Sequence, residues 1–134
     1  MANTWSRPLA AALLICLPCV AGAQSSSDDI RKRHISCAAV LGVAGTISTD
    51  KKLQDNLAGA SLLLLAWASD LLTDQPAKAR TDQTTRELAG QVTEIARTIK
   101  TGTPAATKTF DDKYGGARKA CETWFLAEMK KRKT

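Results

Sequence analysis

The sequence predicts an all-α protein, an up-down-up-down four-helix bundle with one disulfide bond between the first and last helices. Three observations support this prediction. Apolar residues recur at alternating steps of three and four in four separate stretches, which is the spacing of one face of an α-helix. The connections between the stretches are short, and short connections place consecutive helices side by side in opposite directions. Beyond residue 23 the chain contains only two cysteines, Cys37 and Cys121, which predicts a single disulfide bond.

Residues 1–23 are predicted to be a cleaved secretory signal peptide, and residues 24–134 a single helical-bundle domain. Arg7 supplies the positive charge that begins such a peptide, and Leu9 to Val20 form its apolar segment. The small residues that follow predict cleavage after Ala23. The remaining 134 − 23 = 111 residues are enough for one hydrophobic core. We therefore expect a periplasmic or secreted bacterial protein, in an oxidising compartment that favours the disulfide bond.

The leader also contains Cys16 and Cys19, at the spacing of a redox or haem-attachment motif. No histidine follows them, and both would be removed with the leader, so we interpret them as incidental. A lipoprotein signal is the alternative for this segment, because Cys19 follows an apolar run. Pro18 stands where a lipid-attachment motif has a small residue, and this favours the cleaved signal peptide.

The first predicted helix begins near Ser26, whose hydroxyl is expected to cap it. Asp28 and Asp29 suit the positive end of its dipole. Its apolar stripe consists of Ile30, His34, Cys37, Leu41 and Ala44. Gly42 and Gly45 lower the intrinsic stability of this helix near its end, and they also permit close packing.

The second predicted helix, from about Asp50 to Leu72, is the most apolar part of the chain after the leader. Ser48-Thr49-Asp50 is expected to provide a turn and the N-cap of this helix, and Pro76 separates it from the next helix. Its stripe consists of Leu53, Leu57, Ala60, Leu64, Trp67 and Leu71, and the leucines at 62, 63, 65 and 72 widen it to most of the circumference. Because so much apolar surface must be covered, we expect the other three helices to surround this one.

The two remaining helices are more polar. The stripe of the third consists of Leu88, Val92, Ile95 and Ile99, and that of the fourth consists of Phe110, Tyr114, Ala117, Cys121 and Trp124. Lys100 and Gly102 are expected to end the third helix. Thr103 and Pro104 are typical of a helix start. Gly115-Gly116 lies in the middle of the fourth helix, where we expect either a kink or a break into two helices.

The disulfide bond predicts the register of the first and last helices. If Cys37 and Cys121 are level in an antiparallel pair, residues whose numbers sum to 158 face each other, so His34 is expected beside Trp124. The alternative is a haem or metal role for His34, with Met129 of the last helix as a second ligand. The same register places Met129 opposite residue 29, about 7 Å from His34 at about 1.5 Å per residue. We therefore expect a histidine packed on an aromatic ring.

No pattern in the sequence indicates a catalytic, metal or cofactor site, and we expect no enzymatic activity. The predicted helices carry no Glu-x-x-His pair, which is typical of di-metal bundles. A nucleophile elbow and a glycine-rich phosphate loop are also missing from the sequence. The adjacent acids at 28–29 and 111–112 lie near helix starts, where the helix dipole explains them.

The basic residues form the most suggestive pattern. In the predicted bundle, the start of the first helix and the end of the last lie at the same pole. The candidate basic patch at this pole consists of Arg31, Lys32, Arg33, Lys130, Lys131, Arg132 and Lys133. Such a patch would bind an anionic envelope surface or an acidic protein. The alternative is a pair of solvated helix ends. Nucleic acid is not expected, because the protein is exported and carries no nucleic-acid-binding motif.

These observations predict a small exported non-enzymatic protein with a binding role, of the inhibitor, immunity or envelope-accessory type. The alternative is a carrier of a small apolar ligand in the bundle core, lined by Trp67, Tyr114, Trp124 and Phe125. A carrier requires a closed apolar cavity of several hundred Å³, whereas a protein that binds a partner requires an exposed apolar or charged patch. No apolar run after the leader is long enough to span a bilayer. The sequence predicts neither the identity of the partner nor the oligomeric state.

Overall fold

The computed structural model describes residues 26–133, and the predicted leader lies outside them. These residues form four α-helices and no β-strand: α1 (Ser27–Ile47), α2 (Lys51–Asp70), α3 (Ala77–Ile99) and α4 (Ala106–Lys133). The predicted all-α fold of four helices is confirmed. The predicted starts of α2 and α4, at Asp50 and Pro104, lie within two residues of the observed starts.

Side-chain caps fix where the first two helices begin. The Ser26 hydroxyl accepts a hydrogen bond of 3.1 Å from the backbone N–H of Asp29. The Asp50 carboxylate accepts from the backbone N–H groups of Lys52 and Leu53, at 3.0 and 3.3 Å. These N–H groups lie in the first turn, where no helical carbonyl is available to them. The caps predicted from the sequence therefore form at both helix starts.

The connection between α3 and α4 differs slightly from the prediction. Lys100 adopts a left-handed conformation with φ 57° and ends α3, and Gly102 follows with φ 90°. The Thr103 hydroxyl donates a hydrogen bond of 2.7 Å to the Lys100 carbonyl instead of capping the next helix. α4 therefore starts at Ala106, two residues after Pro104. Gly115-Gly116 stays helical within a continuous α4, so the break considered above does not occur.

The central helix is α1, and not the leucine-rich α2. The buried residues of α1 are Arg31, His34, Ile35, Cys37, Ala38, Ala39, Val40, Leu41, Val43, Ala44 and Gly45. Those of α2 are Leu57, Ala60, Leu64 and Ala68. The predicted stripe of α2 faces the core, but Leu62 and Leu63 on its other faces are 68% and 41% exposed. The prediction that the other three helices surround α2 is therefore wrong.

Small side chains explain why α1 takes the centre. A Cβ atom added at Gly42 would lie 3.1 Å from the Ser61 hydroxyl, and one at Gly45 would lie 3.2 Å from the Leu57 Cβ. The later residue of α1 meets the earlier residue of α2, so these two helices run antiparallel. Small side chains on a helix let neighbouring helices approach closely, so the other three helices pack around α1. The outer face of α2 is left uncovered as a result.

The predicted disulfide bond is confirmed. Cys37 and Cys121 join α1 to α4, with a distance of 5.2 Å between their Cα atoms. Trp124 hydrogen-bonds His34 one turn away, so both pairs have residue numbers that sum to 158. α1 and α4 are therefore antiparallel and in the predicted register. This register places the start of α1 and the end of α4 at the same end of the molecule.

Candidate interaction surface

Six of the seven residues of the predicted basic patch are exposed where α1 begins and α4 ends. These six are Lys32, Arg33, Lys130, Lys131, Arg132 and Lys133. Arg31 points inward and is only 4% exposed. The structure thus corrects the prediction for Arg31, which contributes nothing to the charged surface.

Arg31 instead joins α1 to α3. Its Nη2 atom donates a hydrogen bond of 3.1 Å to the Thr84 hydroxyl and lies 2.5 Å from a carboxylate oxygen of Glu87. Thr84 is fully buried, whereas 38% of the Glu87 side chain is exposed. A buried guanidinium requires a partner of opposite charge because burial removes its hydration. The position of Arg31 on the inner side of α1 therefore gives it a structural role.

Carboxylates neutralise part of the remaining patch. Lys32 lies 3.1 Å from an Asp28 carboxylate oxygen, one turn earlier in α1. Glu128 is nearly buried, and its two oxygens lie 3.3 Å from Lys131 Nζ and 3.9 Å from Arg132 Nη2. These pairs are largely exposed on their cationic side, where solvent screens them. The patch is consequently a mixed charged surface with an excess of cations.

Two arginines of the patch lie over the tryptophans. The Arg33 guanidinium carbon is 4.3 Å from the centroid of the Trp124 ring, and that of Arg132 is 4.1 Å from the Trp67 ring. Such cation–π contacts hold a guanidinium flat against an indole while its edge stays in water. Together they fix positive charge at the border between the basic patch and the aromatic core.

His34 lies between these two tryptophans and is fully buried. Its ring centroid is 6.0 Å from that of Trp67 and 5.7 Å from that of Trp124. The indole Nε1–H of Trp124 donates a hydrogen bond of 3.1 Å to Nδ1 of His34. Burial lowers the pKa of His34 below its ordinary value, and the nearby charge of Arg132 adds to this, while the carboxylate of Glu128 acts in the opposite direction. The prediction that His34 lies beside Trp124 is confirmed.

An apolar groove of about 250 Å³ opens between α2 and α4. Six of its eight lining residues are apolar: Leu41, Leu53, Leu57, Ala60, Phe125 and Leu126. Leu41 and Leu57 are almost fully buried, whereas Leu126 is 65% exposed. The groove thus has a floor that belongs to the core and a rim that reaches into solvent. At about 250 Å³, the groove lies slightly below the volume range of small-molecule pockets.

Stacked rings close one end of the space between α2 and α4. Trp67 of α2 and Phe125 of α4 stack with their centroids 5.7 Å apart. The Arg132 guanidinium covers the same Trp67 ring. The groove and the basic patch are therefore continuous through these residues, although the sequence predicts them as separate features.

Sequence reasoning predicted the charged half of this surface and missed the apolar half. Leu126 lies next to Phe125 and outside the predicted stripe of α4, and Leu63 is one of four leucines that widen the stripe of α2. An apolar residue that falls outside the buried stripe is the signal that would have identified the rim. The apolar pattern predicts the extra leucines of α2 in the core, because the sequence alone does not reveal which helix is central.

The described residues do not bring potential metal ligands together. Among residues 26–133, no group of three or more His, Cys, Asp or Glu side chains is placed to hold a metal ion. Nδ1 of His34 accepts the hydrogen bond from Trp124, and the ring packs against two indoles. This arrangement makes His34 part of the aromatic core.

The other grooves on the surface are also open to solvent. Two of them, of about 490 and 430 Å³, lie between α1 and α2 and beside Gly115-Gly116 of α4. A third, of about 300 Å³, lies between α2 and α3 and includes Leu62 and Leu65. A carrier for a small apolar ligand buries most of that ligand in an enclosed cavity, and these open grooves do not provide one.

Comparisons with known proteins add no relatives: the chain matches no protein-family model, and no curated protein or solved structure matches it significantly. Within residues 26–133, no helix combines the length and apolar character needed to cross a bilayer. Any functional conclusion therefore depends on the surface described above.

Proposed function

We propose that the protein is an exported non-enzymatic binding protein of the inhibitor, immunity or envelope-accessory type. The observation that carries this proposal is the groove between α2 and α4, with its buried apolar floor and the exposed Leu126 at its rim. Burying apolar surface contributes about 25 cal/mol per Å². A partner that covers Leu126 and fills the groove would gain this free energy, which is not available to the isolated protein.

Two further features support export and a binding role. The leader-like residues 1–23 and the bond between Cys37 and Cys121 are typical of a protein that matures in an oxidising compartment. The disulfide bond holds α1 and α4 together, so α4 presents its exposed face from a rigid support. Preorganised surfaces of this kind lose less conformational entropy on binding.

The open shape of the groove favours a macromolecular ligand over a small molecule. A helix or loop of a partner can cover a surface groove while remaining connected to its own fold. A small apolar ligand in the same groove would stay in contact with water through the open side. We therefore favour a partner-binding role over transport of an apolar ligand in the core.

Site-specific photo-cross-linking in the envelope of producing cells tests this proposal. A photoreactive residue at position 126 should give a cross-linked product of defined mass, because the partner covers Leu126. Ala117 provides the control, since it is exposed on the same helix and lies nine residues away, about 180° around the axis. Position 62 probes the other exposed face of α2. An absence of specific products at positions 62, 63 and 126 alike would contradict the proposed function.

A further inference from the structure

Helices α2 and α4 form the walls of the α2–α4 groove, and α1 contributes to its floor. Leu53 and Ala60 of α2 form one wall, Phe125 and Leu126 of α4 form the other, and Leu41 of α1 lies beneath. The residues of α2 that line the groove extend from Leu53 to Ala60, a distance of 60 − 53 = 7 residues, or about 10 Å. Leu63, which is 41% exposed, lies one turn beyond Ala60 on the same side of α2. A length of about 10 Å corresponds to about two turns of a helix lying in the groove.

Two exposed lysines lie on the same side of α4 as Leu126 at the rim of the groove. Lys130 follows Leu126 by one turn and Lys119 precedes it by two, so both share its side of α4. Both are exposed, and within residues 26–133 neither has a carboxylate within ion-pair distance. Glu122 is the acid in the lining, and Arg118 pairs with it at 3.1 Å. The unpaired charge at the rim is therefore positive.

We propose that this groove binds an acidic amphipathic helix of a partner protein. This inference rests on the proposed binding function and specifies the chemistry of the partner. The apolar face of such a helix would pack against Leu53, Phe125 and Leu126, in the way that helices commonly dock into hydrophobic grooves. Its flanking carboxylates would approach Lys119 and Lys130, which have no carboxylate partner within residues 26–133. Complementary charge of this kind fixes orientation and speeds association.

Two other occupants agree less well with the geometry. A second copy of this chain would bring the same rim lysines against its own cationic surface, since residues 24–134 contain 18 Lys and Arg and 13 Asp and Glu, a net charge of +5. Like charges at an interface oppose association. A flat anionic membrane could contact the rim at Leu126, but it would not enter a recess of about 250 Å³ between two helices. The recessed floor therefore favours a ridge-shaped ligand.

The experiment uses a defined peptide and the protein purified from the periplasm of producing cells. The peptide is a fluorescent helix of about 18 residues, long enough to be helical, with leucines at helical spacing and glutamates beside them. Fluorescence anisotropy should show saturable binding to the protein and none for a scrambled peptide of the same composition. A peptide with lysines in place of the glutamates should bind at least about tenfold more weakly.

Two matched pairs of variants locate the binding site. Leu126→Glu should weaken peptide binding at least about tenfold, whereas Leu62→Glu, at an equally exposed leucine outside the groove, should change it less than about twofold. The double variant Lys119→Glu and Lys130→Glu should also weaken binding at least about tenfold. Lys78 and Lys113 are also exposed but lie outside the groove. The same charge change at these two lysines should weaken peptide binding much less. Thermal unfolding of each variant separates loss of binding from loss of fold.

Three results would overturn the proposal. They are equal binding of the glutamate and lysine peptides, equal loss in both leucine variants, and binding only to phosphatidylglycerol vesicles with no binding to the peptide. The last result would assign the surface to a membrane. If cross-linking at position 126 or 62 gives a partner while the peptide fails, the binding function stands and only the acidic-helix inference is rejected.

Discussion

The indole Nε1–H of Trp124 donates its hydrogen bond to Nδ1 of His34 across the interface between the last helix and the first. This bond defines the tautomer of the imidazole, because an Nδ1 that accepts must leave the proton of the neutral ring on Nε2. The buried Nε2 has no hydrogen-bond partner among the described residues. The neutral ring therefore fits this environment better than the charged one, which would have to remain desolvated between two tryptophans.

The first prediction concerns the pH dependence of stability. The pKa of His34 is lowered in the folded protein, chiefly by burial, so at mildly acidic pH the unfolded chain binds a proton that the folded protein does not. The free energy of unfolding should therefore fall as the pH decreases below about 6.5, with a slope of at most about 1.4 kcal/mol per pH unit from this residue.

Urea unfolding between pH 8 and pH 5 measures this dependence, and NMR titration of the single histidine provides a direct reading. The His34→Gln variant keeps an acceptor for Trp124 but does not titrate, so its stability should depend less on pH in this range. A histidine that titrates at or above its ordinary pKa would contradict the prediction.

The second prediction concerns the bond between Cys37 and Cys121, which closes a loop with a sequence separation of 84. In the chain-entropy model, a loop of this length stabilises the folded state by about 4–5 kcal/mol. Replacement of both cysteines by alanine should lower the free energy of unfolding by a comparable amount. Chemical denaturation of the variant, compared with the wild-type protein before and after reduction, measures the loss. A change below about 1 kcal/mol would show that the packing of α1 against α4 suffices without the cross-link.

The third prediction separates Arg31 from its exposed neighbour Lys32. Arg31→Met removes a buried guanidinium and leaves the Thr84 hydroxyl buried without this partner, so we expect a loss of about 1–3 kcal/mol in stability. Lys32→Met removes only an exposed pair with Asp28 and should cost less than about 1 kcal/mol. Thermal and chemical unfolding of both variants under the same conditions give the comparison. Equal effects would show that Arg31 has no special structural role.

The fourth prediction compares two glycines within helices. At Gly45 of α1, an added Cβ would meet the Leu57 Cβ at 3.2 Å and the Gln54 carbonyl oxygen at 3.4 Å, so Gly45→Val should destabilise the protein by about 1–3 kcal/mol. At Gly59 of α2, nothing lies within 4 Å of an added Cβ. Gly59→Ala should therefore stabilise the protein by up to about 1 kcal/mol through helix propensity. Chemical denaturation measures both changes, and a stabilising Gly45→Val would reject the close-packing account of α1.

Local rules predicted most of the secondary structure. Ser26 and Asp50 cap their helices as their side chains dictate, because a cap depends on residues only two or three positions away. The pairing of Cys37 with Cys121 followed from the count of cysteines beyond the leader, and it gave the register that brings His34 to Trp124. The basic patch followed from the same register.

Predictions that depend on which surfaces meet were less successful. Ala117 belongs to the predicted stripe of α4 but is exposed, and Arg31 lies inward although it was predicted to belong to the charged patch. Leu62 and Leu63 were expected in the core and reach solvent. Helical spacing indicates which residues share a face, but it does not specify which of several faces finds a partner.

The sequence by itself determined four helices, their caps, the disulfide pairing and the antiparallel register of α1 and α4, since each follows from residues close in the chain or from a covalent link. Only the tertiary structure decided that α1 is central and that α2 keeps an exposed face beside α4. The physical reason is competition in packing: close approach depends on the small side chains at positions such as Gly42 and Gly45, and not on which helix is most apolar. The groove between α2 and α4 results from this competition.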